Sequence, residues 1–97
     1  MQRAARIDRN QPEIVKALRK VGATVLITSQ LKHAFDILVG YQGKTFIVEI
    51  KDGEKPPSAR KLKEGEQKCK EDFERVGVKY WIIESIEDAI NMINGKV

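Results

Sequence analysis

The chain has 97 residues, the size of one domain, and an apolar fraction of 41% supplies one compact core, so a single domain is expected. Charged residues make up 33% of it, mixed in sign and summing to +4, a balance that favours polyanionic partners such as nucleic acid. A single cysteine, Cys69, excludes an intramolecular disulfide and any multi-cysteine metal site and fits a reducing, cytoplasmic setting. The basic start lacks a following apolar run and no window approaches the roughly 18 apolar residues of a spanning helix, so export and membrane insertion are not expected.

Residues 1–9 carry Arg3, Arg6 and Arg9 among few apolar residues and read as a loose basic arm. Asn10 reads as the N-cap of a first helix, with Pro12 in its first turn and Glu13 closing a capping box. Ile14, Val15, Ala17, Leu18 and Val21 give it one apolar stripe, and Gly22 ends it. Residues 24–28 are β-branched and short and predict a strand. Residues 35–40 and 46–51 predict two more, joined by a hairpin turn at Gln42-Gly43, although glutamine suits the positive φ of such a turn poorly. Residues 52–58 are turn chemistry, and Arg60, Lys61 and Lys63 extend them as a basic loop.

From about residue 65 to 76, Cys69, Phe73 and Val76 recur at helical spacing, with Gly77 as the stop, and Cys69 reads as a small core residue rather than a nucleophile. Residues 79–84 predict a fourth strand, and Ser85 caps a last helix carrying Ile86, Ala89, Ile90 and Ile93. The order is α-β-β-β-α-β-α, an α/β domain with a small mixed sheet flanked by helices. The helical crossover makes the last strand a parallel neighbour of an earlier one.

Two of these strands carry acids where a buried strand should have none. An unpartnered buried carboxylate costs several kcal/mol or takes up a proton. If Gln42-Gly43 is a two-residue turn, Tyr41 pairs with Lys44 and the register continued outward brings Asp36 opposite Glu49, where Cβ atoms are roughly 4.5–5.5 Å apart; a three-residue loop with a bulge would shift the pairing by one. Lys51, two residues beyond Glu49, points to the same face. Two carboxylates so placed can share one divalent cation; otherwise they need a salt bridge to Lys51 or the basic surface.

Asp36 followed by Glu49-Ile50-Lys51 resembles the signature of the PD-(D/E)XK nucleases. The blocks Asn10-Gln11-Pro12-Glu13, Glu49-Ile50-Lys51-Asp52-Gly53 and Gly65-Glu66-Gln67 resemble its VRR-NUC branch, in particular the minimal, phage-type stand-alone members. The resemblance runs from about residue 3 to residue 93 and implies a restriction-endonuclease-like core. It implies metal ligation by Asp36, Glu49 and the carbonyl of Ile50, with Mg2+ or Mn2+ as the ion and Lys51 orienting or activating the attacking water. Glu13 and Gln67 match the family's acid on the first helix and its glutamine after the basic loop.

Phe35 stands where the motif has proline, and Lys63-Glu64 where the family often has Thr-Pro. A lysine beside a metal would be pushed toward its neutral form. His33 is not a family ligand and reads as a substrate-facing or incidental loop residue. Lys55, Arg60, Lys61 and Lys63 form a strip suited to binding phosphate. The expected activity is metal-dependent endonucleolytic hydrolysis of DNA, at branched structures such as Holliday junctions, by a homodimer without a nucleotide cofactor. The alternatives are a nuclease for flap DNA or RNA and a non-catalytic nucleic-acid-binding module.

Overall fold

The computed structural model describes residues 8–96, so Arg3 and Arg6 of the expected basic arm lie outside the described residues. The elements are α1 (Gln11–Lys20), β1 (Thr24–Ile27), β2 (Ile37–Tyr41), β3 (Lys44–Ile50), a short 3-10 turn (Pro57–Arg60), α2 (Glu64–Arg75), β4 (Tyr80–Ile83) and α3 (Ile86–Ile93). They form one four-stranded sheet in the order β1-β2-β3-β4. The first three strands are antiparallel. β4 joins β3 in parallel, as the crossover through α2 requires.

The β2–β3 register places Tyr41 opposite Lys44 and Ile37 opposite Val48. The hairpin closes through Gln42 (φ 47) and Gly43 (φ 80), both left-handed as the favoured two-residue turn demands. Glycine meets that demand freely and Gln42 does not.

With the register fixed, alternation along the strands separates two faces. Val25, Ile37, Val39, Phe46, Val48, Ile50 and Ile83 form one buried cluster with Ile14, Val15 and Leu18 of α1 and Ala89, Met92 and Ile93 of α3. The other face carries Ile47, Glu49 and Lys51, and α2 lies over it. The apolar stripe expected on α2 is not core. No residue of that helix is buried, Cys69 is half-buried and Val76 is 71% exposed.

Helix entry also departs from expectation at α1. Asn10 makes no side-chain cap bond; its Nδ2 donates to the carbonyls of Lys51 (3.1 Å) and Glu84 (3.0 Å), tying the entry of α1 to the ends of β3 and β4. Ser85 does cap α3, its hydroxyl accepting the Asp88 N–H at 3.0 Å. Replacing Gln42 by Asn, which tolerates the left-handed region better, should stabilise the fold by about 0.5–1 kcal/mol. Urea unfolding measures this; an unchanged or lowered midpoint refutes the strain assigned to Gln42.

Candidate active site

Three positions on the α2 face meet at one end of the sheet. Asp36 lies one residue before β2, where the regular ladder stops: its N–H donates to the Val48 carbonyl (2.9 Å), and its Oδ2 accepts the N–H of Ile50 (2.8 Å). Glu49 and Lys51 follow along β3, and both are buried. The Lys51 ammonium lies 3.4 Å from Glu49 Oε2 and 3.0 Å from Glu66 Oε1. Glu66 comes from the first turn of α2, and the same Oε1 accepts the backbone N–H of Lys63 at 2.9 Å. From β4, the Tyr80 hydroxyl lies 3.1 Å from the Ala34 carbonyl and 3.2 Å from Glu49 Oε1, with one proton to donate between them.

The electrostatics follow from this crowding. Burial, reinforced by the charges of Asp36 and Glu66, pushes Glu49 up to about 9. Burial also raises Asp36, against the opposing effect of the Ile50 N–H and helped by the charge of Asp8. For Lys51, burial alone would favour the neutral amine, but the hydrogen bond to Glu66 and the charge of Glu49 outweigh it and hold the ammonium above its ordinary range. The expected lean toward neutrality concerns Lys51 beside a metal ion; its protein neighbours alone favour the ammonium. For Glu66, burial is outweighed by the Lys63 N–H and the Lys51 ammonium, which hold the carboxylate below its ordinary range.

A cleft opens over these groups in two lobes. One, about 460 Å³, runs past Ser29, Lys32, His33 and Phe35; the other, about 270 Å³, runs past Asp8, Lys55, Lys61 and Lys63, and both reach Asp36, Glu49 and Glu66. Among the described residues no group of three or more His, Cys, Asp or Glu is set to enclose a metal. Two carboxylates short of positive charge nonetheless suit a hard cation of the magnesium type, which takes one or two carboxylates and keeps several waters. Asp36 and Glu49 are the carboxylates that could hold it.

The other expected residues divide. Lys55, Lys61 and Lys63 line the cleft, Lys55 standing 3.8 Å from Asp8. Arg60 does not: its guanidinium is taken up 3.0 Å away by Glu84. Glu13 is exposed on α1, and Gln67 is exposed on α2 and bonded to Glu71; neither lines the cleft. Glu66, one residue before Gln67, is the one turned inward. A helix start at residue 64 would have marked it as the N3 acid, the position that reaches back to its own cap. Tyr80 could be found only from the parallel β3–β4 register, which sets it opposite Ile47 on the site's face. Asp8 carries no sequence signal.

The raised Glu49 has a consequence for stability. Its folded value lies above the ordinary 4.5, so the folded state keeps a proton that the unfolded chain gives up, and this contribution is full below about 4.5 and is lost as pH rises toward about 9. Glu49→Gln cannot ionise. In chelator, its thermal midpoint should gain on the parent's as pH rises from about 4.5 to about 9, and a constant difference across that window contradicts the assignment.

No protein-family model and no curated protein matches the chain. Among solved structures it is similar to one described as "VRR_NUC domain", with a TM-score of 0.66 and 22% identity over 94% of this chain and 97% of the other. The chain thus has the fold of a VRR_NUC domain.

Proposed function

We propose that the protein is a metal-dependent endonuclease that hydrolyses phosphodiester bonds in DNA, with branched DNA such as a Holliday junction as its substrate. The observation that carries this reading is the group Asp36, Glu49 and Lys51, gathered on the floor of a cleft whose rim bears Lys55, Lys61 and Lys63. The likeness in fold to a VRR_NUC domain supports a nuclease. Symmetric cleavage of a two-fold junction by so small a domain calls for two copies of the chain.

In this reading Asp36, Glu49 and the Ile50 carbonyl hold Mg2+ or Mn2+. When bound, such an ion supplies Lewis acidity toward the phosphate and lowers the pKa of bound water. The chain's own groups do the rest. Asp36 is oriented by the Ile50 N–H, and Glu49 is flanked by the Tyr80 hydroxyl and the Lys51 ammonium. Lys51 lies between Glu49 Oε2 and Glu66 Oε1, whose acceptor oxygens favour its ammonium form. It acts as a donor, orienting water or stabilising charge that builds on the phosphate oxygens. The rim lysines bind the strand by neutralising phosphates and releasing counterions.

Incubation of four-way junction, flap, nicked and duplex DNA with magnesium or manganese tests the reading, which falls if none is cut. Asp36→Asn should abolish both calorimetric metal binding and cleavage. Lys51→Ala should keep the metal and slow single-turnover cleavage on the order of 10²–10³-fold, the loss typical of a removed transition-state donor. Equal loss of metal affinity in Lys51→Ala sinks its role as a donor.

Neutralising Lys61 and Lys63 together should flatten the dependence of log affinity on log salt by about 0.9 for each phosphate that is no longer neutralised. Arg60→Gln should leave that slope unchanged and lower the melting temperature, because its guanidinium is bound to Glu84. A flattened slope in Arg60→Gln with none in the lysine pair places the strand elsewhere.

A further inference from the structure

The loop between β1 and β2 brings His33 against the first turn of α2. His33 adopts φ 59, a left-handed conformation that a residue bearing a Cβ takes only against a steric penalty. A Cβ at position 65 would lie 1.9 Å from His33 Nδ1, so the imidazole rests directly on the helix backbone and glycine at 65 is what admits it. The imidazole therefore stands as a partition. On one side is the cleft of Asp36 and Glu49; on the other is a cavity of about 540 Å³.

That cavity is walled by His33, Gly65, Cys69 and Phe73, with Lys68 and Asp72 at its edge. Its volume falls within the roughly 300–1,000 Å³ of small-ligand sites. Phe73 is fixed edge-on against Phe35, with ring centroids 6.2 Å apart. Cys69 and Phe73, two positions of the predicted stripe that stay out of the core, line this cavity instead, whereas Val76 does not. The Lys68 ammonium is already paired with Asp72 at 3.0 Å, which leaves the cavity poorly suited to a phosphate.

We propose that this cavity receives an unpaired nucleobase of the substrate strand, next to the phosphate held at Asp36 and Glu49. This rests on the nuclease reading above. A nucleic acid offers two kinds of surface in alternation, charged phosphates and flat apolar bases, and the cleft and the cavity beside it offer the complements of both. They adjoin at His33, Glu64 and Gly65, which line both. A base within an intact duplex is stacked and paired and cannot enter. The site thus selects strands that are unpaired beside the cut, as at a flap or branch point, and the strained loop at His33 supplies a wall of aromatic character on which a base stacks.

The test is an abasic scan. Flap and junction DNAs carrying a single abasic residue at successive positions around the cut are bound to Asp36→Asn protein, and anisotropy reads the affinity. Loss of one base at the pocket position should weaken binding roughly five- to hundredfold, as expected for a stacked base. On the same background Cys69→Trp, which fills the cavity, and His33→Ala, an exposed loop change that removes its wall, should each abolish that sensitivity while unfolding as cooperatively as the parent.

A flat scan with DNA that is otherwise bound and cut overturns the base pocket alone, as does sensitivity that persists in both pocket variants. A protein that binds and cuts no DNA overturns the nuclease reading and the pocket together.

Discussion

Everything on the α2 face depends on how a buried group of like charges is neutralised. Asp36 and Glu49 sit where a sheet should be apolar, and the only ammonium within contact among the described residues is that of Lys51, shared between Glu49 and Glu66. Removing Lys51 from this buried network leaves carboxylates without a partner, whereas removing one carboxylate relieves like-charge repulsion. The arrangement also closes the sheet. The Asp36 carboxylate takes the Ile50 N–H that the β2 backbone no longer meets, so the residue that ends the ladder is also the one that faces the cleft. The opposite face answers only to packing, and α1 and α3 cover it with aliphatic side chains.

The location follows from topology. Glu49 and Lys51 lie at the carboxyl end of the parallel β3–β4 pair, the place where ligands gather in sheets with parallel strands. Three polar ties lie near that end. Asn10 bridges the carbonyls of Lys51 and Glu84, Arg9 lies 3.3 Å from Asp52, and Arg60 spans to Glu84. Arg9 and Arg60, which sequence alone assigned to a basic arm and to phosphate binding, are in the structure fasteners of the site's rim.

The sequence showed most clearly what alternation and turn chemistry govern. A two-residue turn sets every later pair, so reading the turn at Gln42-Gly43 put Asp36, Glu49 and Lys51 on one face, although glutamine argued against that turn and a three-residue loop would have shifted the pairing by one. Helix positions were harder. A register error of one residue in α2 exchanges Gln67 for Glu66, and with no strong capping residue at Lys63 the helix start could not be fixed from local signals. Glu13 fitted a capping pattern, yet Asn10 spends its amide on β3 and β4, a long-range demand that no window of sequence displays. Nor does helical spacing say what an apolar stripe faces, which is why Cys69 and Phe73 read as core.

The anchoring of α2 differs in kind from that of its neighbours. α1 and α3 are held by fully buried aliphatic side chains, whereas α2 buries none and is tied down by the Lys51–Glu66 pair, the packing of Phe73 on Phe35 and the seat of His33 on Gly65. Elements with little buried apolar surface open first, so α2 is the least stable part of the sheet's surroundings. Two of these attachments pass through the β1–β2 loop and one through the charged group itself, and the Tyr80 N–H of β4 adds a hydrogen bond to Glu74 Oε2 at 3.2 Å. Whatever enters the cleft and redistributes charge around Lys51 therefore acts on the helix through Glu66. The position of α2 and the state of the carboxylates are thus linked through the Lys51 ammonium.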